Sequence, residues 1–308
     1  MANNKDNKGQ LSKTRIPVLT CSYNIILPPE LSAEQKDTFS IFKGYVDSIL
    51  IPKEDIRYQI EREWTTDACL KRYLRAAKWN LTDAKKRIKY SLEWRREYKP
   101  SEIDPKLVEL EAVTGKQHLN GFDKDGRPIL YLRPGLENTS PGPDQLRFIV
   151  FNFESAIKIM PENVESIVII IDFNFNTCSA RKSPSLGVAK EFMHVLSSHY
   201  PERLGYSMIM NAPWYFWGFF KLISPFIDPV TKNKIKFVDI QNSNQVTQNS
   251  NWVNSSDFIL ENQLESEYGG SNLFEYHHET YWKALCEKTS APLIFGIISV
   301  LGNLDNLE

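Results

Sequence analysis

The run from Ser166 to Asp172 (SIVIIID) constrains this chain more than any other seven residues. A surface strand alternates apolar and polar side chains, whereas this run is apolar on both faces, so it belongs inside a sheet that is covered on both sides. Shorter strand-like runs follow the same logic at 129–132, after the Asp- and Gly-rich turn Phe122 to Pro128, at Tyr206 to Met210 and at Ile235 to Ile240. Helical patterns at Gln145 to Met160 and Leu186 to His199 separate them. Strand and helix alternate, which predicts an α/β fold.

Ahead of Pro100 the period is helical. Ser32 and Gln35 have capping-box spacing before Phe39, Phe42, Val46 and Ile49; Thr66 or Asp67 can cap a second helix bearing Leu70, Tyr73 and Leu74; Asn80 or Thr82 opens a third that Pro100 closes. A small helical domain therefore precedes the sheet. The stretch Gln241 to Ser256 is rich in Asn, Gln and Ser and reads as a loop, and no internal repeat is present.

Composition narrows the function. The chain has 7 Trp, 13 Tyr and 17 Phe, enough apolar area for a core with a surplus that an apolar ligand would use. With 37 Lys/Arg against 38 Asp/Glu there is no global basic field, so nucleic acid is not expected as a partner. Neutrality hides two poles: Lys71 to Lys99 carries eleven basic and three acidic residues, while Asn254 to Glu308 carries two basic and nine acidic ones. The basic pole is suited to an anionic membrane surface. Cys21, Cys69, Cys178 and Cys286 lie far apart, as reduced thiols in a cytosolic protein do. The first fifteen residues lack the apolar centre of a signal peptide and are expected to form a solvated arm. The apolar run Pro292 to Leu301 is ten residues long and broken by Gly296, against about 20 needed to span a bilayer.

The segment Pro213 to Pro225 is the most informative for function. Pro213 suits a first helical position, Pro225 a stop, and eight of the ten residues between Trp214 and Ile223 are large and apolar. Such a helix is buried all round or faces lipid. Each large side chain is worth roughly 1.5–3 kcal/mol when buried, so leaving half of them in water costs several kcal/mol. A lid over an apolar cavity that also touches membrane reconciles the two.

Around this helix the order of motifs resembles the CRAL-TRIO lipid-binding family, the SEC fourteen-like proteins. These motifs are Tyr200-Pro201-Glu202-Arg203-Leu204-Gly205, Asn211-Ala212-Pro213-Trp214, Ser224 to Ile235 (SPFIDPVTKNKI) and Tyr268-Gly269-Gly270. Upstream, Arg72 to Trp79 (RYLRAAKW) is similar to the family's N-terminal helical motif and Asp123 to Pro128 (DKDGRP) to its turn before a long strand. The likeness spans about residues 35–285 and is strongest to fungal phosphatidylinositol transfer proteins of the pleiotropic-drug-resistance type.

The resemblance implies a flexible arm over 1–30, an N-terminal helical domain over 31–100, a CRAL-TRIO domain over 101–277 whose mixed sheet floors a lipid cavity, and a helical tail over 278–308. It implies a swinging gate helix with Trp214, Phe216, Trp217, Phe219 and Phe220, hinges at Gly205 and Gly270, and a phosphatidylinositol head group held by Glu202, Thr231 and Lys234. Lys234 offers an ammonium to the phosphate, Thr231 a hydroxyl, and Glu202 an acceptor for inositol hydroxyls. The family usually has a second Arg where Ala77 stands, which leaves one phosphate-facing cation missing.

In members that also carry phosphatidylcholine, a Ser, a Thr and two Tyr hold the phosphocholine. The matching positions are Ile167, Ile169, Leu119 and Leu130 here, an aliphatic wall that suits a sterol as second ligand instead. The function expected is non-catalytic, cofactor-free exchange of lipids by a cytoplasmic protein that associates transiently with intracellular membranes. A haem- or retinoid-type carrier in the same fold is the alternative reading. An α/β hydrolase is disfavoured, because Gly205 to Ile209 (GYSMI) lacks the second glycine of a nucleophile elbow. Glu191 with His194, the adjacent His277 and His278, and Asp123-x-Asp125-Gly126 fall short of metal sites, the last reading as a β-turn.

Overall fold

The structure, a computed structural model, describes residues 13–21, 29–174, 186–212, 214–227, 229–238 and 252–290. Expectations for Cys178, for most of the loop at 241–256, for the apolar run at 292–301 and for residues 1–12 and 22–28 fall outside it. So do the side chains of Trp214 and Phe219.

Four helices come first: α1 (Ala33–Ile49), α2 (Tyr58–Trp64), α3 (Asp67–Ala76) and α4 (Leu81–Tyr98). The capping box is formed, Gln35 N donating to Ser32 Oγ at 3.2 Å and Ser32 N to Gln35 Oε1 at 3.0 Å. Thr66 and Asn80 cap α3 and α4 through their side-chain oxygens. Phe42, Val46, Leu70, Tyr73, Leu74, Ile88 and Leu92 fill the space between these helices. Sequence periodicity predicts three helices here; α2 is the fourth, too short to show a period of its own.

Helix α5 (Pro105–Ala112) leads to strands β1 (Gln117–Phe122) and β2 (Pro128–Leu132). Then come α6 (Pro143–Ile159), β3 (Ile167–Asp172), α7 (Leu186–His199), β4 (Leu204–Met210), α8 (Trp214–Ile223), α9 (Pro229–Asn233), β5 (Ile235–Val238) and α10 (His278–Thr289). The five strands follow in the order β1-β2-β3-β4-β5, β1 antiparallel to β2 and the rest parallel. The apolar run at 166–172 forms β3, the central strand. Crossovers that step in one direction across a parallel sheet with one hand place their helices on one face. Residues of α6 and α7 accordingly share a core with Leu119, Leu130, Ile167 and Ile169, and α8 packs on Ile209 and Phe237 of the same face. Ile129, Tyr131, Val168, Ile170, Met208 and Met210 point the other way, under Ile259, Leu264 and Tyr268.

The sequence reading of the arm is corrected, and strand β1 is an addition to it. Residues 13–21 are not a free arm: Thr14 N donates to Leu273 O at 2.9 Å, Val18 N to Asn120 Oδ1 at 2.8 Å, and Leu19 is buried. Strand β1 has no apolar run because its outward-alternating residues, His118 and Asn120, are buried polar groups. Both bond to Glu265 Oε1, at 2.8 and 2.9 Å, and Arg133 Nη2 reaches Glu265 Oε2 at 2.6 Å. Burial alone would raise the Glu265 carboxyl, but His118 and Arg133 outweigh it and hold it below the usual carboxylate range.

Candidate functional site: an aromatic helix on a sheet face

Helix α8 forms over the residues the prolines delimit, and its two sides differ. On one side Phe216 is buried against Phe173 and Phe220, with ring centroids 4.9 and 5.7 Å away, and Phe237 of β5 lies 4.9 Å from the Trp217 ring. Trp217, at the border of that side, is 43% exposed, and Leu222 beyond it is 65% exposed. Among the described side chains, the helix thus rests Phe216 and Phe220 on the sheet and leaves Leu222, Lys221 and part of Trp217 in water, which favours an apolar partner for the exposed apolar part.

The four aliphatic wall residues lie on the sheet face that continues beneath α8. Leu119 stands opposite Leu130, Leu130 beside Ile169, Ile169 beside Ser207, and Ile171, Ile209 and Phe237 form the adjacent row. Leu119, Leu130 and Ile167 are fully buried and Ile169 nearly so. Their core is shared with Phe153, Ile149 and Ala156 of α6 and Val195 of α7.

Where β4 and β5 begin, the head-group candidates Glu202 and Lys234 come together. Glu202 sits in a tight corner at φ 58°, and its Oε2 lies 3.8 Å from Lys234 Nζ, which also donates to Leu204 O at 2.8 Å. Thr231 O accepts from Lys234 N at 3.0 Å, so the last turn of α9 fixes the distance between the hydroxyl-bearing and ammonium-bearing residues. Both Glu202 and Lys234 remain partly exposed, as groups that meet a ligand must.

Sequence reasoning missed two cations beside this corner. Arg203 donates through Nη1 to Glu165 O at 2.8 Å, and burial together with the nearby Arg72 lowers its guanidinium to about 10. Arg72 is buried, donates to Cys69 Sγ at 3.3 Å, and leaves Nε without a partner. Arg72, buried, and Arg203, half-buried, repel one another, and an anion between such guanidiniums is stabilised. The signal was present, since Arg72 and Arg203 both stand within the quoted motifs, but only the fold shows that they approach. Arg75, one turn on, pairs with Glu165. Ala77, where the resemblance expects a second Arg, caps α3 with its methyl group buried in the helical core.

The glycines singled out as hinges are accounted for by close approach. Gly205 lies inside β4, where a Cβ would come within 2.8 Å of the Arg127 side chain. At Gly270 a Cβ would meet the Leu264 carbonyl oxygen at 1.8 Å. Neither has a positive φ. The Asp123 turn is held by its own residues, Asp123 Oδ1 accepting from Asp125 N at 3.0 Å and Arg127 N at 2.8 Å. His278 faces Glu109 and His277 faces Thr280, so the neighbouring imidazoles serve different partners. Of the eleven basic residues between 71 and 99, Arg75, Arg87, Lys89, Arg95 and Arg96 pair with carboxylates. Lys71 and Lys85 instead lie over the rings of Phe39 and Tyr45. No helix among the described residues is long and apolar enough to cross a membrane.

The chain joins a helical domain to a mixed sheet with an aromatic helix on one face, and the comparisons assign both parts to one family. The chain matches the CRAL/TRIO domain over residues 112–270 and the CRAL/TRIO N-terminal domain over 39–89, and it belongs to that family. It is 34% identical over 238 residues to the phosphatidylinositol transfer protein PDR17 of Saccharomyces cerevisiae, covering 74% of this chain and 64% of that protein. It is 47% identical over 264 residues to the CRAL-TRIO domain-containing protein C23B6.04c of Schizosaccharomyces pombe, covering 83% of this chain and 25% of that protein. The chain therefore spans a quarter of one relative and just under two thirds of the other. Among solved structures it is similar to Sfh5, with a TM-score of 0.60 at 16% identity over 90% of this chain and 99% of that one, a likeness of fold alone.

Proposed function

We propose that this chain is a phosphatidylinositol transfer protein that works without catalysis. It holds the acyl chains between α8 and the sheet face carrying Leu130, Ile169 and Ile209, with the inositol phosphate at Glu202, Thr231 and Lys234. The observation that carries the reading is an aromatic helix, partly in water, packed on a sheet whose strands β4 and β5 begin at the Glu202–Lys234 ion pair. The name of the 34% identical relative supports the ligand class. Trp217 and Leu222 would enter the membrane interface when the helix swings out, and the basic residues of α3 and α4 would favour an anionic surface. The protein would then be cytoplasmic, touching membranes only transiently. The second ligand would be a sterol, since the aliphatic wall offers neither donors nor aromatic faces to a phosphocholine.

The test is transfer of labelled phosphatidylinositol from donor to acceptor vesicles, together with mass spectrometry of the lipids that co-purify. Phosphatidylinositol should be carried in about equimolar amount; a visible chromophore and no phospholipid would overturn the reading.

A further inference from the structure

Asp172, the last residue of the central strand β3, is almost fully buried and accepts hydrogen bonds from three separate parts of the chain. Its Oδ1 takes Asn174 N at 2.9 Å and Asn211 Nδ2 at 2.7 Å; its Oδ2 takes Tyr268 OH at 3.1 Å. Tyr268 is a rigid post. It is buried, stacks on Tyr131 at 5.3 Å, lies under the Arg133 guanidinium at 5.6 Å, and is followed by Gly270 pressed against the Leu264 carbonyl.

Asn211 is the other kind of partner. It stands three residues ahead of Trp214, where the chain leaves β4 for α8, and is a non-glycine residue at φ 52°. Asparagine adopts that conformation more readily than other side chains, and a specific side-chain bond fixes it there. The bond here is the one to Asp172. The neighbour of Asp172 reinforces the arrangement, since Phe173 N donates to Met210 O at 3.1 Å and the Phe173 ring packs against Phe216 of α8.

We infer that Asp172 is the positioning residue of the lid: its carboxylate holds Asn211 in the left-handed conformation that keeps α8 on the sheet, and release of Asn211 is the step that frees the helix. This rests on the proposed transfer function for its role in exchange, though the latch itself is a property of the lipid-free fold. It also places the pivot at Asn211, a left-handed residue between β4 and α8, rather than at Gly205 inside a paired strand.

The test compares Asn211→Gly, which keeps access to positive φ but loses the amide, and Tyr268→Phe, which removes only the hydroxyl. A bond to a charged acceptor is among the stronger ones, so its loss should speed amide hydrogen exchange in α8 about tenfold in Asn211→Gly. Exchange in β3 and β4 should stay unchanged, and release of bound phosphatidylinositol should accelerate by a similar factor. Tyr268→Phe, which leaves Asn211 in place, should give a smaller change in the same direction and decides the matter if the first variant does not fold. Unchanged protection of α8, or protection lost equally across the sheet, would overturn the latch. If α8 loosens as expected but the wild-type protein binds no phosphatidylinositol, the latch stands and the transfer reading falls. If the lipid binds and both variants release it at the wild-type rate with α8 unaltered, the reverse holds.

Discussion

Arg95 of α4 and Glu154 of α6 meet as a two-point fork, Nη1 to Oε1 at 2.8 Å and Nη2 to Oε2 at 3.2 Å, with a tenth of each side chain exposed. Tyr200 OH donates to the same carboxylate at 2.7 Å, and the Arg95 guanidinium lies 4.8 Å over the Trp64 ring. The helical domain, the helix covering the sheet and the Tyr200 to Gly205 corner are thereby joined at one point.

Breaking this buried pair by Arg95→Met should cost about 3–5 kcal/mol, because Glu154 is left charged and buried, whereas Arg95→Met with Glu154→Leu should recover most of it. Burial alone would raise the Glu154 carboxyl, but Arg95 and Tyr200 hold it below the ordinary value of 4.5. A depressed carboxylate stabilises the fold above that value, and the contribution is lost as pH falls below it. Urea midpoints at neutral and acid pH check both points. A single variant as stable as the double would show that the pair is not holding the domains together.

His199 gives a second pH dependence in a different window. Its ring stacks on Trp94 with centroids 4.2 Å apart, its Nδ1 lies 3.3 Å from Ser91 Oγ, and burial, with His194 and Arg95 nearby, lowers it from 6.5 to about 4. The fold binds the neutral ring, so the stabilisation is complete above pH 6.5 and is lost as pH falls from 6.5 toward 4. The wild type should lose about 2 kcal/mol between pH 7 and 5 from this group. His199→Phe keeps the stack without the titration, and its stability should vary less over that range. Parallel stability curves for the two proteins would contradict the assignment.

Much of this was legible in the sequence, and the exceptions have physical causes. The capping residues Ser32, Thr66 and Asn80, the central strand and the limits of α8 follow from local patterns that the fold does not override. Strand β1 was hidden because His118 and Asn120 are satisfied by Glu265, which lies about 145 residues further along the chain. The same holds at the candidate site. Glu202 and Lys234 were readable as motif residues, but the approach of Arg72 to Arg203 depends on the packing of α3 beneath the Tyr200 corner, which no local pattern encodes.

The Glu202–Lys234 pair is open to solvent, so it adds only about 0–1 kcal/mol to the fold. Its removal should therefore separate binding from stability. Glu202→Ala with Lys234→Ala should abolish phosphatidylinositol transfer, since each charge-assisted contact to a ligand is worth about 1.5–3 kcal/mol, while thermal unfolding changes little and the second ligand still loads. Equal loss of both ligands would mean that these residues serve the fold.

For the lid, the decisive residues are Trp217, half in water, and Phe220, against Phe216 and Phe237. Trp217→Asp with Phe220→Asp should end transfer in a protein that still folds, because a helix bearing carboxylates neither closes dry over a lipid nor enters the interface. Undiminished transfer would eliminate the lid. Global unfolding would make α8 an ordinary core helix.

The choice of second ligand turns on Leu130 and Ile169, which are neighbours on adjacent strands, with Leu119 completing a three-strand aliphatic row and Ile167 on the same face. A phosphocholine placed against Leu119, Leu130 and Ile169 would find neither a hydroxyl nor a ring on those three side chains, Ser207 beside Ile169 being the one hydroxyl in the row, and each unpaired polar group costs several kcal/mol. A flat, nearly apolar ligand meets no such penalty. In a side-by-side assay with labelled phosphatidylinositol, phosphatidylcholine and sterol donors, the first and third should be transferred and the second should not. Ile169→Thr with Leu130→Tyr should weaken sterol binding by adding polar groups and bulk to a fully packed position, where overpacking alone costs about 1–3 kcal/mol. The change in stability must be measured alongside, so that loss of sterol in a folded variant can be told from loss of the protein. Robust phosphatidylcholine transfer by the wild type would refute the aliphatic-wall reading, whatever the variant does.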